Sequence, residues 1–480
     1  MNLRSLPRRW AVRGAVALLV VSLVAPAGIS AATFFATTED PSNLRASVDS
    51  PANGTTVISI QGFHFQGMAN ANKPARLIAV GPRGNVKWVH DGSGFDATWF
   101  YDVDPLANGN LLVTATAKGE TLVYELNTET RERVWTERLA IHDTHDVDLI
   151  NNGTELLVAN MRNYDEQSGK NDDRIFVYDR KTDEVTWQFR FRSHYDRSAG
   201  GKYTGDWTHV NDVDKIGPGR YLASPRNMDE VVVVNRSTKT VTETLGNDEN
   251  HSVLYEQHNP QYLESENGTP TVLVADSEND RIVEYAKENG EWKRTWNLGT
   301  RGLNWPRDAD RLPNGNTLVV DTMHHRVFEV TPEGKVVWEF HAPWAPYDVE
   351  RITYGDEAQL ADDRPTIRDM GKSGSYNVSG SGLSIGGEDS KTVSFWLVET
   401  FDGTILESEA SEFARTWAHV TPWIRPVWMN SWEFLGAILG GVVLVSWALG
   451  ETVYQRGRIR DGVSTLTGKV SEWNDRRGAS

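Results

Sequence analysis

The chain has 480 residues and a mass of 53.7 kDa, with 24 % charged and 39 % hydrophobic residues, so most of it reads as soluble and globular rather than disordered or polytopic. Lys and Arg total 49 against 66 Asp and Glu, a formal charge of −17 that argues against binding nucleic acid by neutralising phosphates. With no cysteine, disulfide scaffolds, thiolate zinc sites, Fe–S clusters and cysteine nucleophiles are excluded.

Arg4, Arg8, Arg9 and Arg13 open the chain, and an uncharged run from Gly14 to Thr38 follows, apolar from Ala15 to Phe35. A cleaved signal peptide fits the basic start and the small residues Ala25, Ala27 and Ala31, and Arg8-Arg9 leaves a weak twin-arginine export pattern. The apolar part of such a signal is roughly 7–15 residues, and this one is longer. The favoured reading of residues 1–38 is a basic cytoplasmic start and a retained transmembrane helix.

From there one pattern recurs: a short polar box, a strand, a turn, another strand, then a strand pair carrying a tryptophan. It is plainest from Tyr101 (YDVDPLANGNLLV), His145 (HDVDLINNGTELLV) and Arg307 (RDADRLPNGNTLV), with weaker copies at Asn211 (NDVDKIGPGRYLA) and His258 (HNPQYLESENG). Matching positions at 102, 146, 212, 259 and 308 are separated by 44, 66, 47 and 49 residues. The long step holds polar insertions around Asp165–Asp173 and Arg192–Asp206, and Trp88, Trp135, Trp187, Trp296 and Trp338 occupy equivalent places. Four strands and a repeated aromatic every 40–50 residues are the signature of propeller blades. Alternation, Asn-Gly turns and β-branched strands exclude a helical repeat. A partial unit before Trp88 supplies a sixth blade, so residues 55–350 are predicted to form a six-bladed β-propeller with its closure open.

Beyond Val349 the pattern stops. Residues 351–432 read as a Gly/Ser-rich loop (Ser373 to Ser390), a hairpin from Lys391 to Glu407 and a Trp-bearing juxtamembrane lead from Phe413 to Trp432. Phe434 to Gly450 is uncharged between Glu433 and Glu451, with Trp428, Trp432 and Trp447 near its ends and small Gly436, Gly440 and Gly441 within. A transmembrane helix over 433–453 follows, the alternative being a buried core helix. Arg456, Arg458 and Arg460 make the tail, 454–480, cytoplasmic by the positive-inside rule. The expected architecture is all-β: a propeller ectodomain on the extracellular face of the cell membrane, flanked by N- and C-terminal transmembrane helices. The first 13 residues contribute +4 and residues 451–480 contribute +2, leaving −23 between them. Such an exterior suits high salt, hence a halophilic source. Asn53, Asn152, Asn235, Asn267 and Asn377 open glycosylation sequons, or, where glycine follows, ordinary hairpin turns.

The boxes open at Tyr101, His145, Asn211, His258 and Arg307, where innermost strands converge on one axis. His142 and His209 lie just ahead of such positions, and Arg226 follows His209 by 17 residues in SPRNMDEVVVV. One His-Asp pair at a blade start is more often a loop bracket; three histidines and an arginine at related positions point to a shared pocket. Asp146, Asp212 and Asp308 read as structural, and His324 and His325 as loop-forming.

HDVDLI at His145, WTHVND at Trp207–Asp212, SPRNMDEVVVV at Ser224–Val234 and Glu-Gln-His at Glu256–His258 together resemble the PAPS-independent arylsulfate sulfotransferases over roughly residues 60–350. The resemblance implies a channel histidine that attacks a sulfate ester and becomes a sulfohistidine. It maps that nucleophile onto His258 and sulfuryl-binding residues onto His145, His209 and Arg226, with no cofactor. The bacterial members have an N-terminal β-domain for which this chain has no room, and the membrane helices are an addition; a membrane-anchored, haloarchaeal member is the expectation. The implied partners are a small sulfate ester donor, a phenolic or other hydroxyl acceptor and the lipid bilayer, with no nucleic acid. Two other classes compete: a metal-dependent propeller hydrolase with His145, His209 and His258 as zinc ligands, against which Arg226 speaks, and a non-catalytic surface binding platform.

Overall fold

The recurring boxes begin the innermost strands of six four-stranded antiparallel sheets arranged as the blades of a β-propeller. The computed structural model describes residues 8–37, 45–62, 64–65, 68–69, 75–92, 94–95, 97–299, 302–354, 364–380, 392–426 and 428–457. They fall into two units: the helices of both chain ends, and the propeller together with Ala418–Trp423.

Five blades are continuous in sequence, spanning 97–139, 147–190, 210–246, 258–298 and 306–341. The closing blade is shared between the two ends of the repeat region. Thr56–Ile60, Arg76–Val80 and Val86–Asp91 supply its three outer strands, and Pro346–Arg351 returns to supply the innermost. Two further strands extend blade edges: Arg45–Val48 pairs antiparallel with Val336–His341, and Gly374–Tyr376 pairs parallel with Glu291–Leu298.

Every blade has a register shift between its third and fourth strands. In the blades of Trp88, Trp135, Trp187, Trp296 and Trp338 it falls immediately before the tryptophan. Bulges increase local twist, which a blade needs to fan away from the axis. The repeated tryptophan sits on the fourth strand and in two blades reaches the next one: Trp187 Nε1 donates to the Arg236 carbonyl at 2.7 Å and Trp296 Nε1 to the Pro332 carbonyl at 2.8 Å, whereas Trp135 Nε1 donates to Glu125 of its own blade. The apolar cores lie between blades, as where Leu157, Val177 and Trp187 meet Tyr221, Val232 and Val234.

At the axis, aspartates tie blades together. Asp348 accepts from Val103 N at 2.9 Å, Asp308 from Val349 N at 3.0 Å and Asp148 from Lys215 N at 2.8 Å, and Asp146 accepts from Val213 N. Asp146 and Asp308 thus bridge neighbouring inner strands rather than close their own turns.

The other unit contains α1 (Arg8–Thr37), α2 (Val393–Phe401), most of α3 (Glu407–Ile424) and α4 (Ser431–Tyr454). α1 and α4 are each long and apolar enough to cross a membrane. They pack antiparallel, with Arg13 paired to Glu451 at 2.6 Å at one end and Ser30 Oγ donating to Glu433 at 2.6 Å at the other. A Cβ at Gly436 would lie 2.6 Å from the Leu23 carbonyl oxygen and one at Gly440 2.7 Å from Val24, so the small residues let two backbones approach. Asn430 and Glu433 form a capping box at the start of α4.

The region after the propeller departs from expectation. Lys391 to Glu407 was expected to be a hairpin, but Val393–Phe401 is helical. Val393, Trp396, Leu397 and Phe401 also fit a helical period, and a short apolar run satisfies both patterns. Within Ser373 to Ser390, Gly374–Tyr376 is an edge strand, and 381–390 lie outside the described residues. The expected juxtamembrane lead is helical through Ile424, with Ala418–Trp423 belonging to the propeller unit. Arg458 and Arg460 also lie outside the described residues.

Candidate active site

Tyr101, His145, Asn211, His258, Arg307 and Tyr347 stand at equivalent places on the six inner strands, each one residue ahead of the aspartate or asparagine of its box. In five blades the residue two positions earlier has a left-handed backbone: Asp143 (φ 56°), His209 (φ 45°), Glu256 (φ 47°), Trp305 (φ 54°) and Ala345 (φ 55°). Non-glycine residues adopt this conformation at a cost and concentrate at functional sites. The turn brings the side chains around it to one end of the channel, and His209 enters the site from this position rather than from the ring.

The aromatic and imidazole rings form a continuous cluster. Centroid separations are 3.9 Å for Tyr101–His145, 5.1 Å for His145–His209, 5.4 Å for His145–Tyr347 and 6.1 Å for His258–Tyr347. Trp305 closes the side next to His258, at 6.2 Å. The four predicted site residues therefore converge, and the mouth adds Asp143, Arg162, Asp206 and Glu256. Tyr101 donates to Asp143 at 2.7 Å, Arg162 Nε lies 2.8 Å from Asp143, and His209 Nδ1 lies 2.7 Å from Asp206. Both polar insertions serve this network: Asp173 of the first accepts from Thr208 N and Oγ1, which anchors the second beside it.

His258 is fully buried, and its bonds set its tautomer. Ser277 Oγ donates to the Pro306 carbonyl at 2.6 Å, so toward His258 it acts as an acceptor. His258 Nδ1 lies 2.8 Å from that oxygen and 3.1 Å from the Glu256 carbonyl, hence Nδ1 carries the proton. Nε2 is left with its lone pair, buried and without a partner among the described residues. Gln257 explains the Gln-His box: its amide nitrogen donates to Ser224 Oγ at 3.0 Å and to the Glu230 carbonyl at 2.6 Å, fixing this strand to the neighbouring blade.

Arg226 begins a short 3₁₀ turn, Arg226–Met228, between the second and third strands of its blade. Ser277 and Thr322 begin the same turn in the next two blades. Its Nε donates to Asn227 at 2.9 Å, and Asp206 and Glu256 lie 3.9 and 3.7 Å away. His325 follows the third such turn in the left-handed region and accepts from Ala345 N, in keeping with its reading as a loop former. His142 is exposed beside the Lys118–Gly119 turn.

Burial is the leading cause that pushes His145, His209 and His258 well below the ordinary imidazole range. The neighbouring cations act the same way, Arg307 on all three and Arg226 on His209 and His258. A lowered pKa keeps the neutral, nucleophilic imidazole populated further into acid. Protonation of these three imidazoles, followed by NMR, should therefore fall well below pH 6.5. A midpoint at 6.5 or above would contradict this.

Two site residues carry more than their sequence suggested. Arg307 opens a box without an assigned role, yet its Cζ lies 3.9 Å from the Trp305 ring centroid and 5.0 Å from that of Tyr347. Tyr347 belongs to the blade completed by the returning strand, and its hydroxyl lies 3.2 Å from His145 Nδ1. Its signal was present: YDVE at Tyr347 repeats YDVD at Tyr101.

The fold is a six-bladed propeller around a buried centre of imidazole and guanidinium groups. The model of the Arylsulfotransferase (ASST) family matches residues 50–266, a segment containing His145, His209, Arg226 and His258 and ending short of Arg307 and Tyr347. That match supports the family and, with it, sulfuryl transfer. No curated protein matches the chain. Among solved structures, it is similar to a protein of unknown function from Bacteroides caccae (15 % identity, 62 % of this chain and 98 % of that one, TM-score 0.43). It is also similar to a functionally unknown protein from Desulfotomaculum acetoxidans (11 %, 62 % and 98 %, TM-score 0.40) and to a virginiamycin B lyase from Staphylococcus aureus (7 %, 60 % and 86 %, TM-score 0.37). At these identities and TM-scores none of them bears on function.

Proposed function

We propose that this protein is a membrane-anchored arylsulfotransferase that moves a sulfuryl group from an aryl sulfate ester to a phenolic or other hydroxyl acceptor through a sulfohistidine at His258. The observation that carries this reading is Nε2 of His258, buried, unpartnered among the described residues, held in one tautomer and flanked by guanidinium and imidazole groups. In the first half-reaction the Nε2 lone pair forms the N–S bond as the S–O bond to the aryl group breaks, and the phenolate departs. The Glu256 carbonyl and Ser277 Oγ, which accept from Nδ1–H, stabilise positive charge developing on the ring. In the second, an acceptor hydroxyl attacks sulfur and gives its proton to solvent as the N–S bond breaks, which releases neutral imidazole. Sulfuryl transfer resembles phosphoryl transfer in its loose transition state, with charge on equatorial oxygens. His145, His209 and Arg226 are assigned to those oxygens, His209 as the imidazolium that a bound anion favours, since its neutral ring gives its one N–H, at Nδ1, to Asp206. The test is a pre-steady-state burst: about one equivalent of phenol should appear without any acceptor.

The metal-hydrolase reading gains no support. Among the described residues, no three His, Asp or Glu side chains are grouped to hold one metal ion, and two guanidinium groups adjoin the histidines.

The same proposal places both termini in the cytoplasm and the propeller outside. The Arg13–Glu451 pair and the glycine contacts between α1 and α4 favour a retained α1 over a cleaved signal. Protease added to intact cells should digest the propeller and spare a C-terminal tag, and intact mass should include residues 1–38. Digestion of the tag, or a mature chain starting near Ala32, would refute the two-helix arrangement.

A further inference from the structure

Arg307 is a buried cation without a close counter-ion. Among the described residues no carboxylate lies within ion-pair distance of it; Asp143 acts on it from farther away and is itself paired to Arg162. Among the described residues, one of its five N–H donors is taken, through Nη1 to Gln61 Oε1 at 2.6 Å, and Nε is buried with no partner. Trp305 and Tyr347 hold the guanidinium with their rings. The Trp305 Nε1 donor and the Asn211 Oδ1 acceptor nearby are likewise buried and unpartnered among the described residues. Leaving a guanidinium buried and unmatched costs several kcal/mol in general, so a fold retains one where a ligand supplies the counter-charge. The other arginine of the centre is different: Arg226 already has Asp206 and Glu256 within 4 Å.

We propose that Arg307 is a second sulfuryl-binding residue of this centre, that it supplies the counter-charge for the bound ester, and that it limits the donor to monoanionic esters. The inference rests on the sulfuryl-transfer reading above and adds a residue and a charge rule to it. A sulfate monoester carries one negative charge and is matched by the one unmatched guanidinium. A phosphate monoester carries close to two at neutral pH, and its second charge would meet the aspartates that follow the ring residues, among them Asp102, Asp146, Asp308 and Asp348. Arg307 also has the fork geometry to donate to two tetrahedral oxygens at once, which a lysine lacks.

The test is calorimetric binding of benzenesulfonate, a monoanionic probe whose C–S bond cannot transfer, to the full-length protein in detergent micelles. Phenyl phosphate at pH 8 is the dianionic comparison. Arg307→Gln should weaken benzenesulfonate roughly 10- to 100-fold, the loss of a charge-assisted bond, and Arg307→Lys should recover part of that. Phenyl phosphate should bind wild type at least about tenfold more weakly than benzenesulfonate. The melting temperature of ligand-free Arg307→Gln should be unchanged or higher, because an uncompensated buried charge has been removed. A purely structural arginine would lower it. Should Arg307→Gln fail to fold, Arg307→Lys decides: it must bind benzenesulfonate more weakly than wild type. Wild-type affinity in either variant, or phenyl phosphate binding as tightly as benzenesulfonate, overturns the proposal. Neither result depends on whether His258 forms a covalent intermediate, which the phenol burst reports separately.

Discussion

His258→Ala should release no phenol above background from an aryl sulfate, in the burst or in steady state. The ring provides the attacking lone pair, and no other group occupies its place: Ser277 Oγ is committed to Pro306, and the Gln257 amide to Ser224 and Glu230. The fold should survive the change, since Gln257 and the ladder to Pro270–Asp276 hold the strand without the imidazole. The removed ring leaves a cavity, so a loss of roughly 1–3 kcal/mol in stability is expected, too little to explain complete inactivity. Phenol release at the wild-type rate would sink the covalent assignment and return the advantage to direct hydrolysis.

Arg226→Ala should slow formation of the sulfo-enzyme by roughly 10²–10³, the usual cost of removing one donor aimed at developing charge. His145→Ala and His209→Ala belong in the same range. The three should not add: they serve the same oxygens, and His209 and Arg226 share Asp206, at 2.7 and 3.9 Å. A double variant of His209 and Arg226 should therefore lose far less than the product of the single losses in single-turnover rates. Full multiplicativity would mean that the two groups act on separate steps. Arg226→Ala also leaves Glu256 facing the site without that cation and Asp206 with Arg162 as its guanidinium partner, so weaker donor binding should accompany the slower step.

Much of this architecture was legible because a propeller writes itself into sequence through repetition. Box, turn and tryptophan recur at fixed offsets, and five of the six ring residues were aligned from those offsets alone. The sixth, Tyr347, escaped because its strand returns to complete a blade begun nearly 300 residues earlier, and sequence order gives no sign of that pairing. The convergence of His145, His209, Arg226 and His258 follows from blade geometry. The tautomer of His258 does not: it depends on Ser277, from the turn after the following strand, and on the carbonyl of Pro306 in the next blade. The charge state of Arg307 was likewise invisible, since an arginine beginning a strand reads the same whether or not a carboxylate meets it. The mistaken hairpin at Lys391–Glu407 has a simpler origin. A run of nine residues cannot separate a period of 2 from one of 3.6 when Val393, Leu397 and Phe401 satisfy both.

The central claim is that the sulfuryl group rests on Nε2 of His258 between donor and acceptor. Intact-mass analysis of the full-length protein, taken shortly after mixing with an aryl sulfate in the absence of acceptor, tests it most directly. The account predicts a gain of about 80 Da on wild type, mapped to the peptide containing His258, discharged on adding a phenol and absent from His258→Ala. No mass gain on a wild-type enzyme that turns over, or a gain that persists in His258→Ala, would contradict it.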